Sequence, residues 1–569
     1  MGKKNKYIIT LLFLLIGVFS NAQYKNSKPT ASSLLTGESI FLHLNTSTFV
    51  SGETLFYKIY AVNPANYTIS EISKIAYIEL VDSDKKIISS QKVFLKNGTA
   101  NSDIFIPSTL KTGNYKLISH TNWMLNQNKD TFTEQEIFIV NPFEPLSEKN
   151  ISQEESTEKP MLSQNLENNS SVNLSKKIYG TRELITFTPN INSLGNYSVS
   201  VRKKDMMPLP SEKSAVEFVA QKRQNSIISS QINVLPEMRG EIISGKITSS
   251  ERENQISNVP IGLSITGDSY IFKIVRTDKN GEFTFILDKI YSNPKYNIQV
   301  ISDKRNEYSI NVNPKKSINY NDVAPSEDLK LNASLSEELK NRATASQIES
   351  SYYAQKTDTV VKLDEQHFFD KQKVYKLEDY SKFSTLKQTI TEIVSEMYYS
   401  KSRGKYSFHM RDPLLVKQME EPTLILVDGL LVQDVTQIAE FNTANIEKIT
   451  ISPKGYIYGG SVFSGIANIS TKDRSFTTQN LEESFYQSSA NIAPELEKRY
   501  FKQSYNQTKY STIPDFRYQL LWLPNYSIEK NNGQVSFYTS DVTGIFEISI
   551  QGFTNEGKPI SSKQNFEVK

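Results

Sequence analysis

Side chains that commonly do chemistry are few in this sequence. Its 569 residues include no cysteine, which excludes disulfides, thiol nucleophiles, cysteine-ligated zinc and iron–sulfur clusters. Zinc peptidases need closely spaced His and Glu ligands, and no His-x-x-Glu or His-Glu-x-x-His motif occurs. We therefore predict no metal and no cofactor. We interpret all four histidines as surface or core residues: His43, His120, His367 and His409.

Other catalytic motifs are missing as well. The sequence has no Gly-x-Ser-x-Gly elbow, no Walker-type phosphate loop and no dinucleotide Gly-x-Gly-x-x-Gly. Gly459-Gly460-Ser461 fits a chain bend better than a phosphate cradle, and Glu420-Glu421 fits a solvated loop better than an acid/base pair. Asp82 and Asp84 lie in no loop with EF-hand spacing. We predict no catalytic residues and a protein that is not an enzyme.

The charge distribution points to export. Lysines and arginines number 65 against 62 acidic residues, and three of those lysines (Lys3, Lys4 and Lys6) precede an apolar run of 13 residues. Small residues then end at Ala22, so residues 1–22 read as a signal peptide cut before Gln23. A membrane anchor is the alternative, but a span needs roughly 18–20 apolar residues. The remaining chain is neutral, which argues against nucleic-acid binding, and we expect no transmembrane segment after cleavage.

The rest of the sequence predicts a mainly β chain. Tyrosine (30) and phenylalanine (29) are abundant, and such side chains suit half-buried sheets. Seven short alternating strands with a turn at Asn97-Gly98 predict a β-sandwich over 38–144. We predict a linker over 145–170, a second sandwich unit over 171–235 and a third sandwich over 236–313. In the third unit, Asn280-Gly281 predicts a hairpin.

The second half of the chain is more mixed. Residues 314–382 contain helix formers and read as a helical or linker region, and 383–473 as a compact α+β unit. Within that unit a helix is predicted over 384–399, because its apolar residues recur on one face. The polar segment 474–510 reads as a linker, and 511–569 as a C-terminal β-sandwich. The predicted fold class is thus tandem macroglobulin- or Ig-like sandwiches with an inserted α+β domain and a helical linker.

Residues 39–143 resemble the MG2-like β-sandwich of the α2-macroglobulin superfamily, a module common in exported proteins of Bacteroidota. The resemblance implies architecture and no activity. The superfamily's covalent trap needs a Cys–Gln thioester, which a chain without cysteine cannot form. The matching stretches are Ser51-Gly52-Glu53-Thr54-Leu55-Phe56-Tyr57-Lys58, Ile78-Glu79-Leu80, Gly113-Asn114-Tyr115-Lys116-Leu117 and Thr121-Asn122-Trp123-Met124.

Residues 240–312 resemble a carboxypeptidase-regulatory-like domain. Gly245, Val259-Pro260 and the run from Thr277 to Phe285 carry this likeness. Residues 515–569 resemble the closing sandwich of the same exported macroglobulin-like proteins. Its matching stretches are Asp515-Phe516-Arg517, Leu521-Trp522-Leu523-Pro524-Asn525, Val535-Ser536-Phe537-Tyr538-Thr539-Ser540-Asp541 and Gly544-Ile545-Phe546-Glu547-Ile548.

Residues 383–473 resemble the plug domain of TonB-dependent outer-membrane receptors. Pro453 departs from the pattern, because it removes a strand donor where plugs continue the strand. A receptor barrel of 22 strands at roughly 10 residues each needs about 220 residues. Only 96 residues follow Asp473, so we expect no transporter. The matching stretches are Pro422 to Val432, Ile438 to Ile451, Tyr458-Gly459-Gly460-Ser461 and Gly465 to Lys472.

These resemblances imply a non-enzymatic accessory or scaffold subunit, located in the periplasm and peripherally associated with the outer membrane. The expected partner is an outer-membrane β-barrel protein or complex for barrel assembly, protein secretion or TonB-dependent uptake. Two alternatives stay open: a free-standing periplasmic carbohydrate- or peptide-binding protein, and a receptor remnant that kept its plug and lost its barrel. The candidate partner-binding residues are Asp428, Gly429, Tyr456, Tyr458 and Gly459.

Overall fold

The computed structural model describes most of the chain after the predicted signal peptide. Residues 1–22, most of the predicted linker 145–170, and His367 lie outside the described residues. No helix among the described residues is long and apolar enough to cross a membrane. The described ranges are 37–127, 131–145, 150, 172–210, 212–221, 232–251, 255–326, 328–363, 372–411, 421–474, 476, 485–489, 491–506, 512–529 and 533–569.

The first sandwich consists of two facing sheets. Alternate apolar side chains of each strand point between the sheets and form its core, as in Ala76, Ile78 and Leu80. The sheet orders are β1-β3-β6 and β2-β8-β7-β4-β5. The strands are β1 Ser39–Leu44, β2 Thr48–Val50, β3 Thr54–Val62, β4 Ile75–Asp82, β5 Ile87–Phe94, β6 Thr99–Phe105, β7 Gly113–His120 and β8 Thr133–Val140.

The next stretch contains three strands and a helix, followed by the strands of the third sandwich. The first group is β9 Ile178–Tyr179, β10 Leu184–Phe187, β11 Gly195–Lys203 and α1 Ala215–Ala220. The third sandwich has β12 Glu241–Ser249, β13 Pro260–Ile265, β14 Ile271–Arg276, β15 Glu282–Leu287, β16 Asn297–Val300 and β17 Tyr308–Val312. One of its sheets has the order β15-β12-β17, and the other contains β14-β13-β16.

An α+β unit follows a 16-residue helix, α2 Ser336–Ser351, and the short strand β18 Thr359–Val360. Its sheet order is β19-β24-β27-β22-β23, and α3, α4 and the β20–β21 hairpin cover one face. The unit comprises β19 Lys373–Lys376, α3 Leu386–Glu392, β20 Met397–Ser402, β21 Lys405–Met410, β22 Thr423–Val427, β23 Leu430–Leu431, α4 Thr436–Ala439, β24 Ile446–Ser452, β25 Tyr456–Tyr458, β26 Ser461–Phe463 and β27 Gly465–Thr471.

The last strands are β28 Phe485–Gln487, β29 Lys498–Arg499, β30 Gln519–Tyr526, β31 Val535–Tyr538, β32 Gly544–Thr554 and β33 Pro559–Val568. Short 3-10 turns occur at Met124–Asn126, Arg305–Glu307, Tyr320–Asp322, Ala333–Leu335, Tyr353–Gln355, Leu377–Asp379 and Thr443–Asn445. The prediction of a mainly β chain with an α+β unit is confirmed.

The predicted separation of 171–235 and 511–569 is wrong. Strands from both segments form one five-stranded sheet with the order β30-β11-β32-β33-β9, and β10 pairs with β31. We call this unit the composite sandwich. Its strand β11, second in that order, is paired on both sides by strands more than 300 residues later in the sequence. Strand periodicity identifies β11 but cannot show which strands pair with it.

Both predicted linkers also contribute strands. From 314–382, β19 pairs with β24, so the α+β unit begins before residue 383. From 474–510, β28 pairs with β16 and extends the third sandwich. The helix predicted over 384–399 ends earlier, because Met397 already belongs to β20 and pairs with Met410. Its apolar residues still enter the same core.

Candidate functional site

Asp428 and Gly429 form the tight turn between β22 and β23, with φ values of +51° and +87°. The Asp428 carboxylate is buried and accepts hydrogen bonds from the backbone N–H of Thr471 at 2.7 Å and that of Phe476 at 3.2 Å. The Thr471 hydroxyl also donates to it. Asp428 therefore ties the turn to the end of β27 inside the unit.

Gly429 lies against the third sandwich. A Cβ built on Gly429 would lie 2.3 Å from the Cβ of Tyr270, so only glycine permits this approach. The Gly429 N–H donates to Asn468 Oδ1 at 3.1 Å. The turn predicted to meet a partner protein thus packs against another unit of the same chain.

The β25–β26 hairpin packs against the third sandwich in the same way. The Tyr458 hydroxyl donates to the Phe272 carbonyl at 2.9 Å, and a Cβ on Gly459 would lie 2.5 Å from the Cβ of Ile274. Arg276 donates to the Gly460 carbonyl at 2.9 Å. We call this contact the apolar joint, since its core is Phe272, Ile274, Leu424, Leu426, Leu431, Phe463 and Ile466.

The outer face of this hairpin is exposed. Ile457 and Val462 face each other across the hairpin and are 74% and 48% exposed. Tyr456 and Tyr458, on the opposite face, are half-buried and lie against the apolar joint. Strand alternation separates the two faces, so the Tyr-Ile-Tyr pattern could have pointed to Ile457 as the outward residue. The sequence prediction named the inward tyrosines instead.

A second joint binds helix α2 to the first and composite sandwiches through buried charges. The Arg342 guanidinium donates to both Glu53 carboxylate oxygens, at 2.8 and 2.7 Å, and to Asp205 at 2.8 Å. Arg202 also donates to Glu53, at 3.0 Å. Gly52 permits this approach, because its Cβ would lie 2.8 Å from the Ser346 hydroxyl. We call these contacts the charged joint.

The electrostatics of the charged joint favour ionised carboxylates. Burial alone would raise the pKa of Glu53, but the charges of Arg342 and Arg202 outweigh it and lower that pKa to about 2. Asp515 behaves alike: burial opposes ionisation, yet Arg517 and Lys356 lower its pKa to about 2. These acids are structural ions rather than proton donors near neutral pH.

A cleft of about 250 Å³ opens beside the charged joint. Its charged residues are largely paired within the chain, as in Lys356 with Glu349 at 2.8 Å and Arg517 with Asp515 at 2.7 Å. It is smaller than the 300–1,000 Å³ typical of pockets for drug-sized ligands. Its aromatic lining comprises Phe56, Phe105, Tyr353, Tyr500, Phe501, Phe516, Tyr518 and Trp522.

The described histidines lie in separate packing environments. Burial lowers the pKa of His43 to about 3 and that of His120 to about 4, so both rings are neutral at physiological pH. His409 stacks on Tyr398 within the β20–β21 hairpin. The described residues contain no group of three His, Asp or Glu side chains that could hold a metal ion.

No protein-family model matches the sequence, and no curated protein matches it. Among solved structures, Salmonella alpha-2-macroglobulin reacted with methylamine shares 8% identity at a TM-score of 0.24, covering 94% of this chain and 40% of that one. Trypsin-activated alpha-2-macroglobulin from Escherichia coli shares 9% identity at a TM-score of 0.22, with 94% and 41% covered.

The elastase-activated form of the Escherichia coli protein gives 9% identity and a TM-score of 0.23, covering 93% of this chain and 44% of that one. This chain therefore spans about two-fifths of the length of the macroglobulins it matches. TM-scores this low do not establish a common overall fold. The likeness assigns no activity to this chain.

Proposed function

We propose that this chain is an exported, non-enzymatic scaffold subunit that docks on an outer-membrane β-barrel protein or complex from the periplasmic side. One observation carries the proposal: the units are bound to each other by the apolar and charged joints rather than strung on linkers. Such a body can hold a contact surface in a fixed orientation. As part of the same proposal, the chain contains macroglobulin-like, carboxypeptidase-regulatory-like and plug-like units.

The contact surface that we propose is the outer face of the β25–β26 hairpin. Ile457 and Val462 offer apolar area that the described residues leave uncovered. In the described part of the chain, β25 and β26 form a two-stranded sheet of their own, and we propose that a partner docks on its exposed outer face. The proposed contact thus moves from the buried faces of Tyr456, Tyr458 and Gly459 to this outer face.

The test is to isolate the C-terminally tagged chain from membranes in mild detergent and to identify what co-purifies. We expect stoichiometric recovery of a β-barrel protein with the native chain, and its loss with the double variant Ile457→Ser/Val462→Ser. Leu209→Ser, at a site 61% exposed away from the hairpin, is the matched control and should retain the barrel. Recovery of the native chain alone from the soluble periplasm would contradict the proposal.

The aromatic cleft favours a second candidate function, a free-standing periplasmic protein that binds a carbohydrate or a peptide. Phe105 and Tyr353 at its rim are exposed, and aromatic faces bind sugar rings and apolar side chains alike. Titration calorimetry with neutral oligosaccharides and short apolar peptides tests this candidate. Saturable heat that disappears in Tyr353→Ala would favour it over the scaffold.

A further inference from the structure

A cluster at the junction of the first and third sandwiches combines an amine, a carboxylate, a phenol and an amide. Lys92 lies in β5, Glu241 begins β12, and Tyr291 lies between β15 and β16. Asn491 follows β28, and its segment runs along β5, where the Glu495 N–H donates to the Lys92 carbonyl at 2.7 Å. Lys315 completes the cluster. We call these five residues the lysine–amide cluster: Lys92, Glu241, Tyr291, Lys315 and Asn491.

The contacts place each group where an amide-forming reaction needs it. Lys92 Nζ donates to Glu241 Oε2 at 2.7 Å and to the Tyr291 hydroxyl at 2.8 Å. It lies 3.5 Å from Asn491 Oδ1. Reacting groups held about 3–3.5 Å apart gain a large advantage over free reactants. The amide carbon is bonded to that oxygen, so Lys92 Nζ must shift from Oδ1 toward the carbon to attack it.

The state of the amine suits a nucleophile. Both Lys92 and Glu241 are almost completely buried. Burial lowers the pKa of Lys92 below its ordinary value, against the opposing effect of the Glu241 charge. Burial therefore favours the uncharged amine with its free electron pair, as in other lysine nucleophiles activated by desolvation.

We propose that Lys92 and Asn491 join in an intramolecular amide bond that ties the segment after β28 to the first sandwich. The Lys92 amine attacks the Asn491 side-chain carbonyl carbon, and the carbonyl oxygen takes negative charge. Lys315 Nζ, 3.3 Å from that oxygen, faces the developing charge. A C–N bond to Lys92 forms, and the C–N bond to Asn491 Nδ2 breaks.

The protons follow the hydrogen bonds already present. The Glu241 carboxylate takes a proton from the attacking amine. Tyr291 bridges the acid and the leaving group, since its hydroxyl lies 2.6 Å from Glu241 and 3.2 Å from Asn491 Nδ2. Transfer through Tyr291 delivers that proton to Nδ2, ammonia leaves, and Glu241 returns to its carboxylate form. The reaction needs no oxidant, reductant or further reactant.

The chain contains a matched control pair. Lys58 is also buried, and its Nζ lies 2.7 Å from Asn525 Oδ1, closer than the pair in the lysine–amide cluster. Its other hydrogen bond goes to Thr99 at 3.0 Å, and among the described residues it forms no ion pair with a carboxylate. Without a proton relay, proximity alone should leave Lys58 and Asn525 unlinked.

The test is a tryptic peptide map of the native full chain by mass spectrometry. A linked chain gives a branched peptide that joins residues 87–96, uncleaved after Lys92, to residues 475–498. Its mass is lower than the sum of the two peptides by about 17 Da, the mass of the ammonia released. Peptides containing Lys58 and Asn525 should be linear. Recovery of the Lys92 and Asn491 peptides only in linear form would overturn the proposal.

Two variants separate the reaction from simple proximity. Glu241→Gln keeps the size of the side chain but cannot accept the proton, and it should give only linear peptides. Lys92→Arg keeps a cation but supplies no attacking amine, and it should do the same. A branched peptide that persists in Glu241→Gln would overturn the role of the relay. The peptide map of the native chain tests whether the Lys92–Asn491 bond forms, even if a variant fails to fold.

Discussion

The two joints hold the units together by different physics. The apolar joint relies on side chains of the α+β unit and the third sandwich that pack closely, with glycines where the backbones meet. The charged joint relies mainly on Arg342, which two carboxylates from different units share, and Arg202 also donates to one of them. An apolar contact is largely indifferent to pH, whereas buried ions are costly once a partner is lost. The joints should therefore fail under different conditions.

The largest effect is expected from Arg342→Met. It would leave Asp205 and Glu53 buried with less compensation, and breaking such a buried network typically costs about 3–5 kcal/mol. Urea unfolding of the full chain measures the change. The control is Lys340→Met, an exposed site on the same helix, which should change stability by less than about 0.5 kcal/mol. Equal effects of the two variants would contradict the charged joint.

Acid should weaken the charged joint selectively. The pKa of Glu53 is about 2 in the folded chain against an ordinary value of 4.5. The contribution of Glu53 to the free energy of unfolding is therefore complete above pH 4.5 and is lost as the pH falls toward 2. The difference corresponds to roughly 3 kcal/mol. Unfolding midpoints measured from pH 6 down to 3 should fall less steeply in Glu53→Gln than in the native chain. Parallel pH profiles would show that Glu53 does not contribute in this way.

The apolar joint should respond to added volume. Gly429→Ala places a methyl group 2.3 Å from Tyr270 in a left-handed backbone, and we expect a cost of about 2–4 kcal/mol. Gly404→Ala is the matched control. Gly404 has a similar φ of +86° but no atom within 4 Å of its Cβ position. It should cost only about 1 kcal/mol. A Gly429→Ala cost no greater than that of Gly404→Ala would mean that close packing at Tyr270 is unimportant.

Local patterns in the sequence predicted individual turns and strands better than they predicted which strands pair with each other. Asn97-Gly98 and Asn280-Gly281 do reverse the chain, with φ values of +66° at Gly98 and +79° at Gly281. Yet neither turn joins two strands of one sheet. β5 and β6 lie in opposite sheets of the first sandwich, and β14 and β15 lie in opposite sheets of the third. The hairpin predicted at Asn280-Gly281 is therefore wrong, because turn chemistry fixes reversal but not pairing.

The candidate site shows the same limit. Asp428, Gly429 and Gly459 were recognisable as special turn residues, and the structure gives each a conformational reason. What covers those turns could not be read from the sequence, since Tyr270 and Ile274 lie far away in the chain. Nothing in the sequence distinguished Arg342 from the other charged residues of its polar helix, because its importance depends on partners that only the structure shows.

The joints fuse the units into one body, and the two tryptophans of the chain test this claim directly. Trp123 reports on the first sandwich and Trp522 on the composite sandwich. In the single-tryptophan variants Trp522→Phe and Trp123→Phe, we predict that each fluorescence transition in urea coincides with that variant's far-ultraviolet circular dichroism transition. A fluorescence transition well separated from the loss of β-structure in either variant would contradict the claim, because the units would then unfold independently.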